Sequence, residues 1–181
     1  MKVTPTALPE VLIVEPDVVS DARGSFWESY NARRFFEATG LQPDFVQDNH
    51  TQSVRGALHG LHYQIRQPQG KLVRVVAGEI FDVSVDVRRS SPTFGRWIGV
   101  HLSAANRRQA WMPAGFAHGF SVLSERAEVL YKVTDFWAPE YERGILWSDP
   151  EIGIDWPQTA APLLSAKDAA APLLRDAEVF A

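Results

Sequence analysis

The sequence predicts an all-β fold, a sandwich or a small barrel. Short apolar segments recur at intervals of roughly 8–12 residues, and turn formers such as Gln67-Pro-Gln-Gly70 and Pro113-Ala-Gly115 separate them. In one segment, from Ile80 to Arg88, Phe81 and the three valines lie on one side, and every residue on the other side except Ile80 is polar, which is typical of a strand with one dry face. The 181 residues contain no repeat, linker or low-complexity tract, so we expect a single domain over residues 1–181.

Ten segments between the turn formers are candidate strands. They are Val11–Val14, Ser25–Tyr30, Phe45–Val54, Leu58–Gln64, Leu72–Val76, Ile80–Arg88, Trp97–Leu102, Arg108–Met112, Gly119–Leu123 and Glu128–Thr134. Two short helices are predicted to flank them. The first begins after Asn31 and ends at Gly40, and the second begins after Ser165 and is limited in length by Pro172.

Composition excludes several classes of function. The chain has 18 basic and 22 acidic residues, a net charge of -4, so we expect no nucleic-acid partner. It has no cysteine, which excludes disulfides, thiolate nucleophiles and cysteine-ligated metals. No apolar run approaches the ~20 residues of a membrane span, and the N-terminal segment does not resemble a signal peptide. A cytoplasmic protein without a membrane partner is expected.

Two histidine-containing motifs are the first candidates for chemistry. His59 and His62 lie in one predicted strand, and His118 ends a P-x-G-x-x-H turn of the form seen in cupin barrels. Residues three apart in a strand point to opposite faces, so His59 and His62 are not expected to chelate a metal unless the strand bulges at Gly60. No carboxylate follows His62 at the spacing that a cupin metal site uses, and no metal site is predicted.

Two further polar residues are predicted to point into the barrel. Lys71 has the strand parity of Val73 and Val75, and Tyr131 has that of Val129 and Val133. A histidine base, a tyrosine donor and a lysine near an oxyanion are the groups needed for acid–base chemistry at an enolisable carbon. The base needs a carboxylate to fix its tautomer, and Asp168, Asp82 and Asp86 are all candidates.

Nine motifs, in order along nearly the whole chain, resemble those of the dTDP-4-dehydrorhamnose 3,5-epimerase family. They are Asp21-Ala-Arg-Gly24, Gln47-Asp-Asn-His50, Leu58-His-Gly-Leu-His-Tyr-Gln64, Gln69-Gly-Lys-Leu-Val-Arg74, Phe81-Asp-Val-Ser-Val-Asp-Val-Arg88, Ser91-Pro-Thr-Phe-Gly95, Pro113-Ala-Gly-Phe-Ala-His-Gly-Phe120, Ile145-Leu-Trp147 and Ser165-Ala-Lys-Asp-Ala-Ala-Ala-Pro172. The resemblance implies a cupin-type jelly roll that acts on a nucleotide sugar in rhamnose precursor synthesis, without a metal or organic cofactor. It also implies a homodimer that exchanges an N-terminal strand.

The resemblance also implies a role for each matching residue. His62 is the base, Asp168 fixes its tautomer, Tyr131 is the proton donor on the other face of the sugar, and Lys71 supports the enolate oxygen. The matching substrate-binding positions are Arg23, Glu28, Gln47, Asn49, Glu142 and Lys167. His118 is expected close by in the same pocket, and His59 occupies a further substrate-binding position. Some of these residues are expected to serve the second subunit of the dimer. Trp137 and Tyr141 are candidates for stacking on the nucleotide base.

One residue departs from the family motif. The family has arginine, an active-site cation, where this chain has His59. A histidine is largely neutral at pH 7 and lacks the two-pronged donor geometry of arginine. This change leaves open an altered substrate or a 3-epimerase acting at one carbon of a related 4-keto sugar. Two separate alternatives are a non-catalytic sugar-binding cupin, which the presence of His62, Asp168 and Tyr131 disfavours, and a metal-dependent cupin oxygenase, which the histidine spacing disfavours.

Overall fold

The computed structural model describes residues 1–157 and 160–181, which form two antiparallel sheets that face each other. The larger sheet has six strands in the order β1-β2-β10-β7-β12-β5, and the smaller has five in the order β13-β6-β11-β8-β9. A separate hairpin pairs β3 with β4. The strands are β1 Lys2–Pro5, β2 Leu12–Glu15, β3 Val19–Asp21, β4 Gly24–Phe26, β5 Gln47–Val54, β6 Leu58–Gln64, β7 Lys71–Ala77, β8 Glu79–Asp86, β9 Trp97–Ser103, β10 Gln109–Met112, β11 Phe116–Val122, β12 Arg126–Val133 and β13 Glu142–Gly144.

The predicted strands are confirmed, with differences at the two ends of the chain. The prediction missed β1, β3 and β13, because each has only three or four residues and little apolar periodicity. The predicted strand Ser25–Tyr30 is wrong beyond Phe26, where the hairpin ends and the chain turns toward the first helix.

Both predicted helices are present and are short. Helix α1 spans Ala32–Thr39; the side chain of Asn31 accepts a hydrogen bond from the backbone of Arg34, and Gly40 ends the helix at φ 73°. Helix α2 spans Ala166–Ala169, with Ser165 as its N-cap. Two single 3-10 turns lie at Pro139–Tyr141 and Leu174–Asp176. Over the described ranges, no helix combines the length and the apolar character that crossing a membrane requires.

An apolar core fills one part of the space between the sheets. It includes Val73 and Val129 from the larger sheet, and Ile80, Leu102 and Phe120 from the smaller one. At roughly 25 cal/mol per Å² of buried apolar surface, this contact is the main stabilising interaction between the sheets. The remaining interior is polar and contains the candidate site.

Strand β8 does not have the single dry face that its alternation predicts. Its apolar face, with Val83 and Val85, lies under the C-terminal segment, where Ile145 and Leu174 pack on it. Its polar face, which includes Asp82, points between the sheets and is also buried. The prediction was wrong because periodicity reports which residues alternate, not how many layers cover the strand.

At the end of β8, a buried carboxylate anchors a loop. Asp86 is fully buried, and it accepts hydrogen bonds from Arg88 at 2.9 and 2.8 Å, from Ser91 at 2.5 Å and from Thr93 at 2.6 Å. Burial alone would raise the pKa of Asp86, but these donors outweigh it and lower the pKa to about 2. The depressed pKa means that the ionised carboxylate stabilises the fold.

We expect Asp86→Asn to lower the free energy of unfolding by about 2–3 kcal/mol near neutral pH, because the buried position loses the charge that accepts hydrogen bonds from Arg88, Ser91 and Thr93. The ordinary pKa of 3.8 is lowered in the folded state, so this stabilisation is complete above that value and is lost as the pH falls toward about 2. Denaturant unfolding of both proteins, at neutral pH and at about pH 2.5, measures the difference, which shrinks in acid.

The matched control is Asp48→Asn. Asp48 is 67% exposed and pairs with Lys132 on the surface, so its loss is expected to cost less than about 0.5 kcal/mol. Equal losses in the two variants, or a difference that does not depend on pH, would contradict the assigned role of Asp86.

Candidate active site

The polar part of the interior is a cleft between the two sheets that encloses about 690 Å³, including its open mouth. His62 and His118 come from the smaller sheet, and Lys71 and Tyr131 from the larger one. The residues lining it are Asn49, Thr51, His59, His62, Tyr63, Gln64, Gln69, Lys71, His118, Gly119, Phe120, Tyr131, Trp137 and Glu142. The inward directions predicted for Lys71 and Tyr131 are confirmed.

An irregularity in β6 determines how its two histidines point. His118 pairs with His62 and Phe120 with His59, so a step of two residues on β11 faces a step of three on β6. Gly60 lies in this bulge at φ 103°, and a Cβ atom there would be 2.6 Å from the backbone oxygen of His118. The bulge therefore requires glycine, and it places His59 and His62 on the same cleft, contrary to the direction expected for a regular strand.

His62 is bonded to a buried carboxylate. Its Nε2 lies 2.5 Å from Oδ1 of Asp168, which is only 4% exposed and follows Ser165 at the start of α2. Burial is the largest influence and would raise the pKa of Asp168, but the hydrogen bond and charge of His62, with the hydrogen bonds of Gly60 and Ser165, together outweigh it, and the pKa is lowered. Asp168 is thus ionised at neutral pH and holds the proton of His62 on Nε2, which leaves Nδ1 as the basic nitrogen.

His118 has a carboxylate of its own. Its Nε2 is 2.7 Å from Oδ1 of Asp82, and both side chains are buried. The sequence left open which carboxylate orients which base. In the structure, Asp168 pairs with His62, Asp82 with His118 and Asp86 with Arg88.

Lys71 and Tyr131 face these histidines from the larger sheet. Lys71 is 8% exposed, and its Nζ donates to the backbone oxygen of His62 at 3.5 Å. Burial lowers the pKa of Lys71 to about 8, although the charges of Asp82 and Glu142 oppose the shift. Burial raises the pKa of Tyr131, and the charge of Glu142 adds to this effect, so its hydroxyl keeps its proton at neutral pH.

Glu142 links the cleft to the C-terminal segment. Its Oε1 lies 2.7 Å from Nζ of Lys167 and 3.8 Å from Nδ1 of His62. Burial acts to raise the pKa of Glu142, but the hydrogen bond from Lys167 and the charge of His62 outweigh it, so that the pKa is lowered. The structure thus brings Glu142 and Lys167 to the edge of the cleft beside His62.

His59 differs from the other two histidines of the cleft in its partner. Its Nε2 is 2.9 Å from the hydroxyl of Ser53, and its ring stacks on Phe120 with centroids 4.7 Å apart. Burial lowers the pKa of His59, opposed by the charge of Asp168. His59 is therefore neutral at neutral pH.

The remaining predicted binding residues fall into two groups. Asn49 lines the cleft, and Gln47 bonds both to Asn49 and to the backbone of Trp137 at the mouth. Arg23 and Glu28 lie away from the cleft of their own chain. Arg23 pairs with Asp21 in the β3–β4 hairpin, while Glu28 pairs with Arg34 at the start of α1.

The two candidate stacking residues differ in position. Trp137 lines the mouth and is 60% exposed, whereas Tyr141 lies against Arg66 and is not among the lining residues. In the part of the chain that the structure describes, no three potential ligands are grouped so that they could hold a metal ion.

Sequence reasoning missed several lining residues, of which Thr51 is the clearest. Thr51 has the same parity on β5 as Gln47 and Asn49, and among the described residues its buried hydroxyl has no hydrogen-bond partner. The alternation of β5 was the signal that could have identified it. Gln69 was missed because it lies in a loop, where side chains do not alternate between faces. Phe120 was missed because an apolar residue in a strand does not indicate a polar site.

The family model described as dTDP-4-dehydrorhamnose 3,5-epimerase matches residues 5–176. The chain belongs to the dTDP-4-dehydrorhamnose 3,5-epimerase family. It is 63% identical over 180 residues to the dTDP-4-dehydrorhamnose 3,5-epimerase of Pseudomonas aeruginosa, and the match covers 99% of both chains. A dTDP-4-dehydrorhamnose 3-epimerase from Streptomyces niveus is less similar, at 39% identity over 98% of this chain and 86% of that one.

A solved member of the family has the same fold. The crystal structure of dTDP-6-deoxy-D-glucose-3,5-epimerase from Legionella pneumophila in complex with dTDP-4-keto-L-rhamnose superposes with a TM-score of 0.94. The two chains are 52% identical, and the match covers 97% of this chain and 93% of that one. The predicted cupin-type jelly roll and the predicted enzyme class, an isomerase of the epimerase type, are thus confirmed.

We expect the ε-amino group of Lys71 to titrate near pH 8, because burial disfavours its charged form. NMR of protein labelled with ¹³C and ¹⁵N in lysine measures the titration, and the spectrum of Lys71→Met identifies the signal by its disappearance. A Lys71 signal that first moves above about pH 10, where free lysine titrates, would contradict the buried position.

Proposed function

We propose that the chain epimerises C3 and C5 of dTDP-4-dehydro-6-deoxy-D-glucose and forms dTDP-4-dehydro-L-rhamnose. The observation that carries this proposal is the pair His62 and Tyr131, which face one cleft from opposite sheets. Inversion of a carbon next to a ketone needs a proton to leave one face and another to arrive at the opposite face. A base and an acid on the two walls of one cleft meet that need.

In the proposed reaction, Nδ1 of His62 removes the proton from C3 or C5 and becomes charged, while Asp168 holds the other ring proton. The electron pair moves onto the oxygen of the 4-keto group, and the ammonium of Lys71 stabilises the resulting enolate. Tyr131 then gives its proton to the opposite face of the same carbon. Exchange with water returns the proton to Tyr131 and removes the one on His62 before the second carbon reacts.

The charges of the site support these roles. The raised pKa of Tyr131 keeps its proton on oxygen until the enolate forms. The lowered pKa of Asp168 keeps a negative charge beside the imidazolium that His62 becomes. His118, bonded to Asp82, stands opposite His62 in the strand pairing, and with Asn49 and Glu142 it lines the space in which the sugar would bind. No step of this scheme requires a metal or an organic cofactor.

We also propose a cytosolic homodimer in which the β3–β4 hairpin is exchanged. Val19 and Phe26 on this hairpin are 69% and 71% exposed in the isolated chain. Burying them against a partner would remove apolar surface from water. Exchange would also carry Arg23 and Glu28 away from their own barrel, and so would explain why these two predicted substrate-binding residues do not face their own cleft.

The second candidate is a 3-epimerase that acts at one carbon, favoured by His59 in place of the family arginine. Incubation with the 4-keto sugar in heavy water distinguishes the two. Deuterium at C3 and C5 in the NMR spectrum supports the double epimerase, and deuterium at C3 alone the 3-epimerase. A folded protein that catalyses neither exchange would act on a different substrate or be a sugar-binding cupin.

We expect His62→Asn to lower turnover and deuterium exchange by roughly 10³-fold or more, because the variant lacks the proposed base. Tyr131→Phe keeps the base, so it is expected to retain exchange into the substrate while it forms little inverted product. The control is His101→Asn, since His101 is exposed and pairs with Glu79 on the surface. Equal loss of exchange in the two active-site variants would contradict separate acid and base roles.

Mixing two inactive variants tests the exchanged hairpin. Arg23→Ala is expected to lose binding in the partner's site, and His62→Asn loses the base of its own site. A dimer with one subunit of each kind has one intact site, so unfolding and refolding an equal mixture restores roughly a quarter of wild-type activity if subunits pair at random. Activity that stays at the level of the two separate variants would show that Arg23 serves its own barrel or none.

A further inference from the structure

The three histidines of the cleft differ in what is bonded to each ring. His62 and His118 each have a carboxylate at hydrogen-bond distance, Asp168 at 2.5 Å and Asp82 at 2.7 Å. His59 instead has the neutral hydroxyl of Ser53 at 2.9 Å. His62 and His118 thus each have a directly bonded negative charge that stabilises the protonated ring. His59 has no such charge bonded to its ring nitrogen.

The surroundings of His59 allow it to change charge without moving. Its ring is held by stacking on Phe120, and the hydroxyl of Ser53 can either donate to a neutral nitrogen or accept from a protonated one. His59 also borders an open recess lined by Gln52, Ser53, Val54, Ala57 and Arg126, through which protons can exchange with solvent. The hydrogen bond to Ser53 can therefore be kept in both protonation states of His59.

We propose that His59 takes up a proton when the doubly negative nucleotide sugar binds, so that substrate affinity depends on pH through this residue. This inference rests on the proposed function, which supplies the anionic substrate. A diphosphate that enters the cleft adds the negative charge that the Ser53 partner lacks, and it favours the imidazolium form of His59. His59 is then a determinant of affinity rather than a residue of the proton transfers on the sugar.

Other charged and titratable groups also face His59. His62 on its own strand and His118 on β11 oppose its protonation when they are charged, and Asp168 on α2 favours it. The remaining groups that line the cleft or the recess are Lys71 on β7, Tyr131 and Arg126 on β12, Tyr63 on β6 and Glu142 on β13. Because several of these groups can titrate, the test compares variants at His59 instead of relying on one pH profile.

The sign of the effect follows from linkage. Burial lowers the pKa of His59 in the free protein, and a bound anion raises it. Affinity therefore increases as the pH falls through the pKa of the complex, and it levels off below the pKa of the free protein. An arginine at this position carries its charge at every pH and gives no such dependence.

Calorimetric titration with dTDP-glucose tests the proposal. This probe lacks the ketone, and its diphosphate is esterified at both ends, so its own charge is constant near neutral pH. Titrations in buffers of different ionisation enthalpy measure the protons taken up on binding. We expect proton uptake by the wild type near pH 7, with an affinity that increases roughly five-fold from about pH 8 to about pH 6.

Three variants isolate the residue. His59→Gln keeps a hydrogen-bonding side chain without a titratable group, and His59→Asn serves the same purpose in a shorter side chain. Both are expected to lose most of the proton uptake and of the pH dependence. His59→Arg is expected to bind with an affinity that is flat over the same range. His101→Gln, at the exposed histidine beside Glu79, should behave as the wild type.

The outcomes separate this inference from the function on which it rests. If folded His59→Gln and His59→Asn take up as many protons as the wild type, the protons bind elsewhere and the inference is overturned. If the folded wild type does not bind the probe at any pH, the proposed function fails, and the inference fails with it. Kinetics give a second readout, because loss of His59 should change the pH dependence of KM and leave that of kcat in place.

Discussion

The extra residue in β6 opposite β11 is the constraint on which the arrangement of the site depends. A regular strand would send either His59 or His62 out of the cleft, because successive side chains alternate between faces. The bulge at Gly60 interrupts this alternation, so that both histidine rings line the cleft. The bulge also needs the two backbones to lie close together, and glycine allows this. A Cβ atom at Gly60 or at Gly119 would be only 2.6 Å from a backbone oxygen of the neighbouring strand.

The barrel interior contains an apolar part and a charged part, and the charged part is stable because most of its charged and titratable groups have partners. His62 with Asp168, His118 with Asp82, and Glu142 with Lys167 each combine a base or cation with a carboxylate. Lys71 is the contrast. It has no ion pair among the described residues, and burial shifts its pKa toward neutrality. A lysine in that condition exchanges protons more readily than one fixed in an ion pair.

Most features that depend on neighbouring residues in the sequence were predicted correctly, whereas most features that depend on residues distant in the chain were not. Alternation gave most strands and the inward directions of Lys71 and Tyr131, because parity is local. It misjudged β8, whose apolar face is covered by residues some 60 to 90 positions further on, including Ile145 and Leu174. The pairing of carboxylates with bases could not be chosen either, because strands and helices distant in the chain bring those side chains together. The resemblance to the family implied only one of these pairings, that of Asp168 with His62; the pairings of Asp82 with His118 and of Asp86 with Arg88 were not predicted.

The C-terminal segment both covers the smaller sheet and contributes a residue to the cleft. Ile145 and Leu174 cover the outer face of the smaller sheet, and Asp168, from the same part of the chain, reaches His62 inside the cleft. The strands that form both facing sheets end at Gly144, so all of them can be synthesised before Asp168, the partner of His62, exists. During translation on the ribosome, a nascent chain can complete its barrel strands well before it acquires the His62–Asp168 pair.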